Sequence, residues 1–215
     1  MSNKVAIVSG GMDSVVMLKR FAPSLACVMY FNYGSNHAQK ESYFSRLHAE
    51  EHKLAWLEID LGFIKQHFSS ALLQGSEAIP DGHYQDEIMK KTVVPFRNGI
   101  MLSIAAGFAE SIGASAVMIG SHFGDHAIYP DCRADFITPM RAAVKAGTYA
   151  NIEVEAPFAS FVKRDIGMLG KQLGVDFTQS WSCYKNGEHH CGTCGTCVER
   201  KEALQGFDPT YYEVL

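Results

Sequence analysis

Val5-Ala6-Ile7-Val8-Ser9-Gly10-Gly11-Met12-Asp13-Ser14 decides how this chain is read. An apolar run of strand character ends in Ser-Gly-Gly, and a second apolar run, Val15-Val16-Met17-Leu18, follows with helical character. Two glycines at such a junction let the backbone approach an anion, while the N–H groups opening the helix and two nearby hydroxyls donate to it. The loop has no lysine. It matches neither the phosphate loop G-x-x-x-x-G-K-[ST] nor the dinucleotide pattern G-x-G-x-x-G. The plainer alternative is a tight turn in which Asp13 or Ser14 caps the helix.

Working outward, strands alternate with helices. Positions 4–9 read as a short buried strand and 13–21 as the helix behind it. Positions 25–31 (Leu-Ala-Cys-Val-Met-Tyr-Phe) form a second apolar strand, 37–52 a polar helix, and 54–60 a third strand. Positions 61–91, rich in Gly, His and Asp, are expected to include an active-site loop. Positions 100–112 form a strongly apolar helix entered through Arg97-Asn98-Gly99, and 116–120 another strand. Strands that are apolar throughout imply an α/β fold: a doubly wound, Rossmann-like parallel sheet covered on both faces. Ligands of such sheets sit at the carboxyl ends of the strands. Ser9-Gly10-Gly11, Asn32-Tyr33-Gly34 and 121–125 all fall there.

The 215 residues, 47% hydrophobic, suit one well-packed domain with a small appendage, drawn as 1–180 and 181–215. A formal net charge of −4, with 19 scattered Lys and Arg, argues against a large nucleic-acid footprint. No apolar stretch reads as membrane-spanning, and Met-Ser-Asn-Lys lacks a signal-peptide core, so a cytoplasmic protein without membrane partners is expected.

Four of the six cysteines, Cys183, Cys191, Cys194 and Cys197, are spaced C-x7-C-x2-C-x2-C. Four thiolates with glycines at the turns suit a closed tetrahedral Zn²⁺ site. A redox C-x-x-C pair and an iron–sulfur cluster use the same residues and stay open at this point.

Ser-Gly-Gly-Met-Asp-Ser from Ser9 resembles the S-G-G-x-D-S signature of the PP-loop superfamily, the N-type ATP pyrophosphatases. Phe-Asn-Tyr-Gly from Phe31, Val-Pro-Phe-Arg-Asn from Val94, Tyr-Pro-Asp-Cys-Arg from Tyr129 and Trp-Ser-Cys-Tyr from Trp181 narrow the resemblance. With the cysteines that follow, the chain resembles the 7-cyano-7-deazaguanine synthase family over nearly its whole length. The resemblance implies a PP-loop fold, a homodimer, a structural zinc and Mg²⁺-ATP. It implies a ligase that turns 7-carboxy-7-deazaguanine and ammonia into the nitrile by activating first a carboxylate and then an amide. A missing lysine fits, because the anion held would be a departing pyrophosphate.

Roles follow from the same resemblance. Val8, Ser9, Gly10, Gly11, Asp13 and Ser14 would bind ATP, with Asp13 also holding a Mg²⁺-linked water or stiffening the loop. Asn32 and Tyr33 would take the nucleoside. Lys163 would balance transition-state charge, and Arg97 would contact phosphate or the substrate carboxylate through its paired donors. Asn98, Asp131 and Arg133 would contact the substrate, Asp131 accepting from a guanine-like edge, with Asp125 beside them. Cys27 and Cys132 read as packing. Positions 31–37 and 121–130 depart from the commoner family forms, leaving His122 and His126 without a role carried over. An enzyme stopping at the amide, a PP-loop tRNA thiolase and a non-catalytic zinc-ribbon module are the competing readings.

Overall fold

The computed structural model describes residues 3–83, 87–122 and 128–214. Five parallel strands, β1 (Lys4–Ile7), β2 (Leu25–Asn32), β3 (Ala55–Asp60), β4 (Ala116–Met118) and β5 (Glu153–Glu155), form one sheet in the order β3-β2-β1-β4-β5. The order reverses direction between β1 and β4. Loops leaving those two strands diverge to opposite faces and open a crevice.

The apolar runs divide by parity. Val5, Ile7, Cys27, Met29 and Phe31 join one core, while Ala6, Val8 and Val28 join the other. Successive strand side chains point to opposite faces, so a strand buried on both needs no polar alternation. The helices α1 (Met12–Phe21), α2 (Ala38–Glu51), α6 (Lys163–Gln172) and α7 (Gly195–Ala203) cover the second core. The first is covered by α3 (Gly62–His67), α4 (Arg97–Ser111) and α5 (Ala134–Gly147).

Several features depart from the sequence reading. Strand β5 is missing from it, because Glu-Val-Glu buries only Val154 and offers no periodicity over three residues. Helices α5 and α7 were not anticipated. The stretch Ile88–Ser111 does reach the length and mean hydropathy, 1.2, of a membrane span. Half of that window is buried inside the protein, where α4 packs on β1 and β4. Among the described residues, none of 61–91 lines the crevice. That segment instead braces the cysteine region: Asp81 bridges to Cys194 and the Gly82 N–H donates to the Thr193 carbonyl at 3.0 Å.

Candidate active site

The loop after β1 is held by backbone and hydroxyls. Gly10 has φ +79°, a conformation that disfavours any side chain. A Cβ there would lie 2.8 Å from both the Glu41 carbonyl and the Ser45 amide nitrogen of α2. Gly10 therefore faces α2 rather than the crevice, and its carbonyl accepts from the Trp181 N–H at 2.9 Å. Val8, Ser9, Gly11, Asp13 and Ser14 do line the crevice. The Ser9 Oγ accepts from the Gly11 N–H at 3.3 Å and lies 3.3 Å from the Ser14 Oγ. The Ser14 Oγ donates to the Gly11 carbonyl at 3.0 Å. No side chain caps α1, so the capped-turn alternative fails and its first N–H groups lie at the crevice.

Lys163 reaches the same loop from the start of α6. Its Nζ lies 3.2 Å from Asp13 Oδ2 and 2.8 Å from Glu199 Oε2 on α7. A lysine in the first turn opposes the helix dipole; two carboxylates hold it here. His122, fully buried after β4, puts Nε2 3.6 Å from Asp13 Oδ2. Asp13 Oδ1 is buried and has no hydrogen-bond partner.

Across the crevice, Arg97 Nη1 donates to the Tyr33 hydroxyl at 3.1 Å and the guanidinium stands 5.3 Å from the ring centre. Burial opposes its charge, but Tyr33, Tyr184, Asp131 and Cys132 outweigh that, and its pKa stays above the ordinary arginine value. Burial pushes the Tyr33 phenol up to about 12, so it stays a neutral donor and acceptor. Asn98 also lines the crevice.

Three expected residues point elsewhere. Asn32 is spent on its neighbours, its Nδ2 donating to Glu58 Oε1 at 2.9 Å and its Oδ1 accepting from the Gly34 N–H at 3.2 Å. One oxygen of Asp131, Oδ2, accepts from the backbone N–H of Asn98 at 2.8 Å, at the first turn of α4, and Asp131 does not line the crevice. Arg133 precedes α5 and is likewise outside the lining, where Tyr129 and Cys132 of the same loop stand instead. Asp125 and His126 lie outside the described residues.

The four cysteines are all buried and free, with their sulfurs within 4.8 Å of one another. The Cys191 and Cys197 sulfurs are 3.9 Å apart. A tetrahedral zinc with bonds of about 2.3 Å separates its sulfurs by about 3.8 Å. Backbone N–H groups of Thr193 and Cys194 point at the Cys191 sulfur. Hydrogen bonding among the four sulfurs holds Cys191 and Cys194 below the ordinary thiol value and Cys183 and Cys197 above it. This donor set fits one buried metal ion with no open position.

The cysteine segment is also a wall of the crevice. Trp181, Ser182, Tyr184 and Thr196 all line it. Arg200 fixes that wall from α7: fully buried, it donates to the Ser180 and Ser182 hydroxyls at 3.0 Å each and to the Phe177 carbonyl at 2.6 Å. Tyr184 follows Cys183 and closes the Trp-Ser-Cys-Tyr motif, the local signal that marks it. Glu199 meets Lys163 across 36 positions, and no local pattern announces that pairing.

The comparisons with known proteins agree with one another. A family model described as queuosine biosynthesis protein QueC matches residues 3–208. The chain belongs to the QueC family. Among its relatives, a 7-cyano-7-deazaguanine synthase from Porphyromonas gingivalis is 53% identical over 98% of this chain and 97% of its own length. One from Desulfotalea psychrophila is 49% identical over the whole of both chains. The solved structure of NMN synthetase from Francisella tularensis aligns with a TM-score of 0.51 over 97% of this chain and 79% of its own, at 12% identity. That likeness speaks for the fold alone. The family is an enzyme family of queuosine biosynthesis, which removes the zinc-ribbon module from consideration.

Proposed function

We propose that the chain converts 7-carboxy-7-deazaguanine and ammonia to 7-cyano-7-deazaguanine, with ATP activating the carboxylate and then the amide. The observation that carries this reading is the lysine-free glycine loop closing on one crevice with Lys163, opposite the Arg97–Tyr33 wall. A carboxylate is a poor acyl donor because oxide is a poor leaving group. Attack of its oxygen on the α-phosphorus forms an acyl adenylate and releases pyrophosphate. Ser9, Ser14 and the N–H groups opening α1 bind the pyrophosphate, and Lys163 offsets the charge that develops there. Ammonia then displaces AMP to give the amide. Activation of the amide oxygen and loss of that group leaves the nitrile. Arg97 and Asn98 orient the substrate end.

Asp13, with its unpartnered Oδ1, would hold Mg²⁺, which supplies charge neutralisation across the phosphates. Zn²⁺ on Cys183, Cys191, Cys194 and Cys197 would cross-link the wall that carries Trp181 and Tyr184. Residues 1–180 act as the catalytic body and 181–215 as a metal-binding segment seated on it. The enzyme works as a cytoplasmic homodimer without nucleic acid, in keeping with the net charge of −4.

The test is incubation of the purified protein with the 7-carboxy substrate, ammonia and Mg²⁺-ATP, followed by mass spectrometry of products and elemental analysis of the protein. A nitrile, AMP and about one zinc per chain are expected. An amide as the end product would replace the reading with the truncated reaction, and absence of turnover would remove it.

A further inference from the structure

Helix α2 carries two buried histidines whose surroundings differ sharply. His48 has both ring nitrogens engaged: Nε2 lies 2.7 Å from the Gln179 carbonyl and Nδ1 3.3 Å from Glu51 Oε2. It sits outside the crevice lining, as a structural histidine does. His37, at the N-terminal edge of the same helix, is 3% exposed and lines the crevice. Its Nε2 lies 3.5 Å from Oε1 of Glu41, also buried and also lining the crevice, while its Nδ1 is buried with no hydrogen-bond partner. Glu41 Oε2 receives only a long bond, 3.4 Å, from the Ser35 hydroxyl.

Burying two ionisable groups with such loose satisfaction costs stability. Catalytic hydrogen bonds are often this long before substrate closes the site. The pair stands directly behind the anion loop, since the Glu41 carbonyl is the atom a Gly10 side chain would strike. The ring of Tyr184 stands 5.4 Å from that of His37, and Tyr33 lines the crevice beside them. Asp13, the other carboxylate on this crevice, is tied to Lys163.

We propose that His37 is the base that removes the N–H protons during nitrogen transfer, and that Glu41 positions its ring. A carboxylate on one imidazole nitrogen fixes the tautomer and leaves the other nitrogen to exchange a proton. In the first transfer the ammonia lone pair forms the C–N bond to the acyl adenylate carbon. The C–O bond to AMP breaks with its electrons on the phosphate oxygen, and one N–H proton passes to the imidazole. The same nitrogen loses its remaining protons when the activated amide becomes the nitrile, and His37 accepts these in turn. This inference rests on the reaction proposed above, whose adenylation half needs no ammonia and no base at His37.

The two are separated by two assays on the intact chain. Carboxylate-dependent exchange of labelled pyrophosphate into ATP reads adenylation alone; amide formation reads nitrogen transfer. His37→Asn is expected to keep exchange within about threefold and to lose amide formation by ~100-fold or more, the usual worth of a general base. Glu41→Gln, which keeps the shape, should lower amide formation by about tenfold, also with exchange intact. A parallel fall of exchange and amide formation in His37→Asn, with an unchanged melting temperature, would make His37 a binding residue and overturn the proposal. So would unimpaired amide formation. If the unaltered protein shows no carboxylate-dependent exchange, the adenylation reading fails first and takes this inference with it.

Discussion

The strands β1 and β2 end in equally suggestive sequences, Ser-Gly-Gly and Asn-Tyr-Gly, yet only the first supplies a nearly complete crevice loop. Strand β1 borders the point where the sheet order reverses, so the chain leaving it has no parallel neighbour's loop beside it and stays open to a ligand. Strand β2 lies between β1 and β3, and Asn32 is still paired in register with Asp60 when the strand ends. Its side chain is taken by Glu58 and by the turn at Gly34, while Tyr33, one residue on, faces the crevice. A polar residue at a strand end is therefore only half of a site argument; the other half is the distance from the reversal.

The comparison can be broken most severely at Gly10. Gly10→Ala forces a left-handed conformation on a residue with a Cβ and drives that atom into two backbone atoms of α2. A loss of about 2–4 kcal/mol in urea denaturation is expected, with activity down ~100-fold because the loop and the first turn of α2 move apart. Stability within about 0.5 kcal/mol of the parent would show the close approach to be dispensable. Tyr33→Phe should act on function and hardly on fold. It removes the hydroxyl held by the Arg97 guanidinium, and a lost hydrogen bond to a charged group predicts roughly tenfold in kcat/KM. An unchanged kcat/KM would place the Arg97–Tyr33 contact outside the chemistry. Asn32→Ala should be the mildest, costing about 0.5 kcal/mol or less because its Glu58 contact is exposed, with the KM for ATP unaltered. A tenfold rise in that KM, on the order of 1.4 kcal/mol, would return Asn32 to the nucleotide.

What the sequence made legible follows from locality. The positions read as strands at 4–9, 25–31, 54–60 and 116–120 lie where β1 to β4 form, because each carries its own apolar run. Strand β5 depends on a neighbour: Val154 alone is buried, and Lys4 on β1 reaches across to Glu155 at 2.8 Å. Asp131 was read as a base contact through the resemblance of its Tyr-Pro-Asp-Cys-Arg loop, where an aspartate would accept from a guanine-like edge. Its use at the start of α4 depends on a helix 33 positions away. Lys163 was named through the resemblance, whereas its second partner, Glu199, carries no local signal.

The sequence alone determined the layered parallel sheet, the glycine loop that ends its first strand and the clustering of four cysteines, since strand parity, glycine freedom and cysteine spacing act within a few residues. Only the tertiary structure decided which polar groups meet. It turned Asn32 and Asp131 to backbone and edge contacts, brought Trp181 and Tyr184 from the cysteine segment into the crevice wall, and left His37 and Glu41 loosely satisfied where His48 is fully engaged. The reason is physical: a buried polar group takes whatever partner the packing of distant elements offers, and chain order does not encode that choice locally.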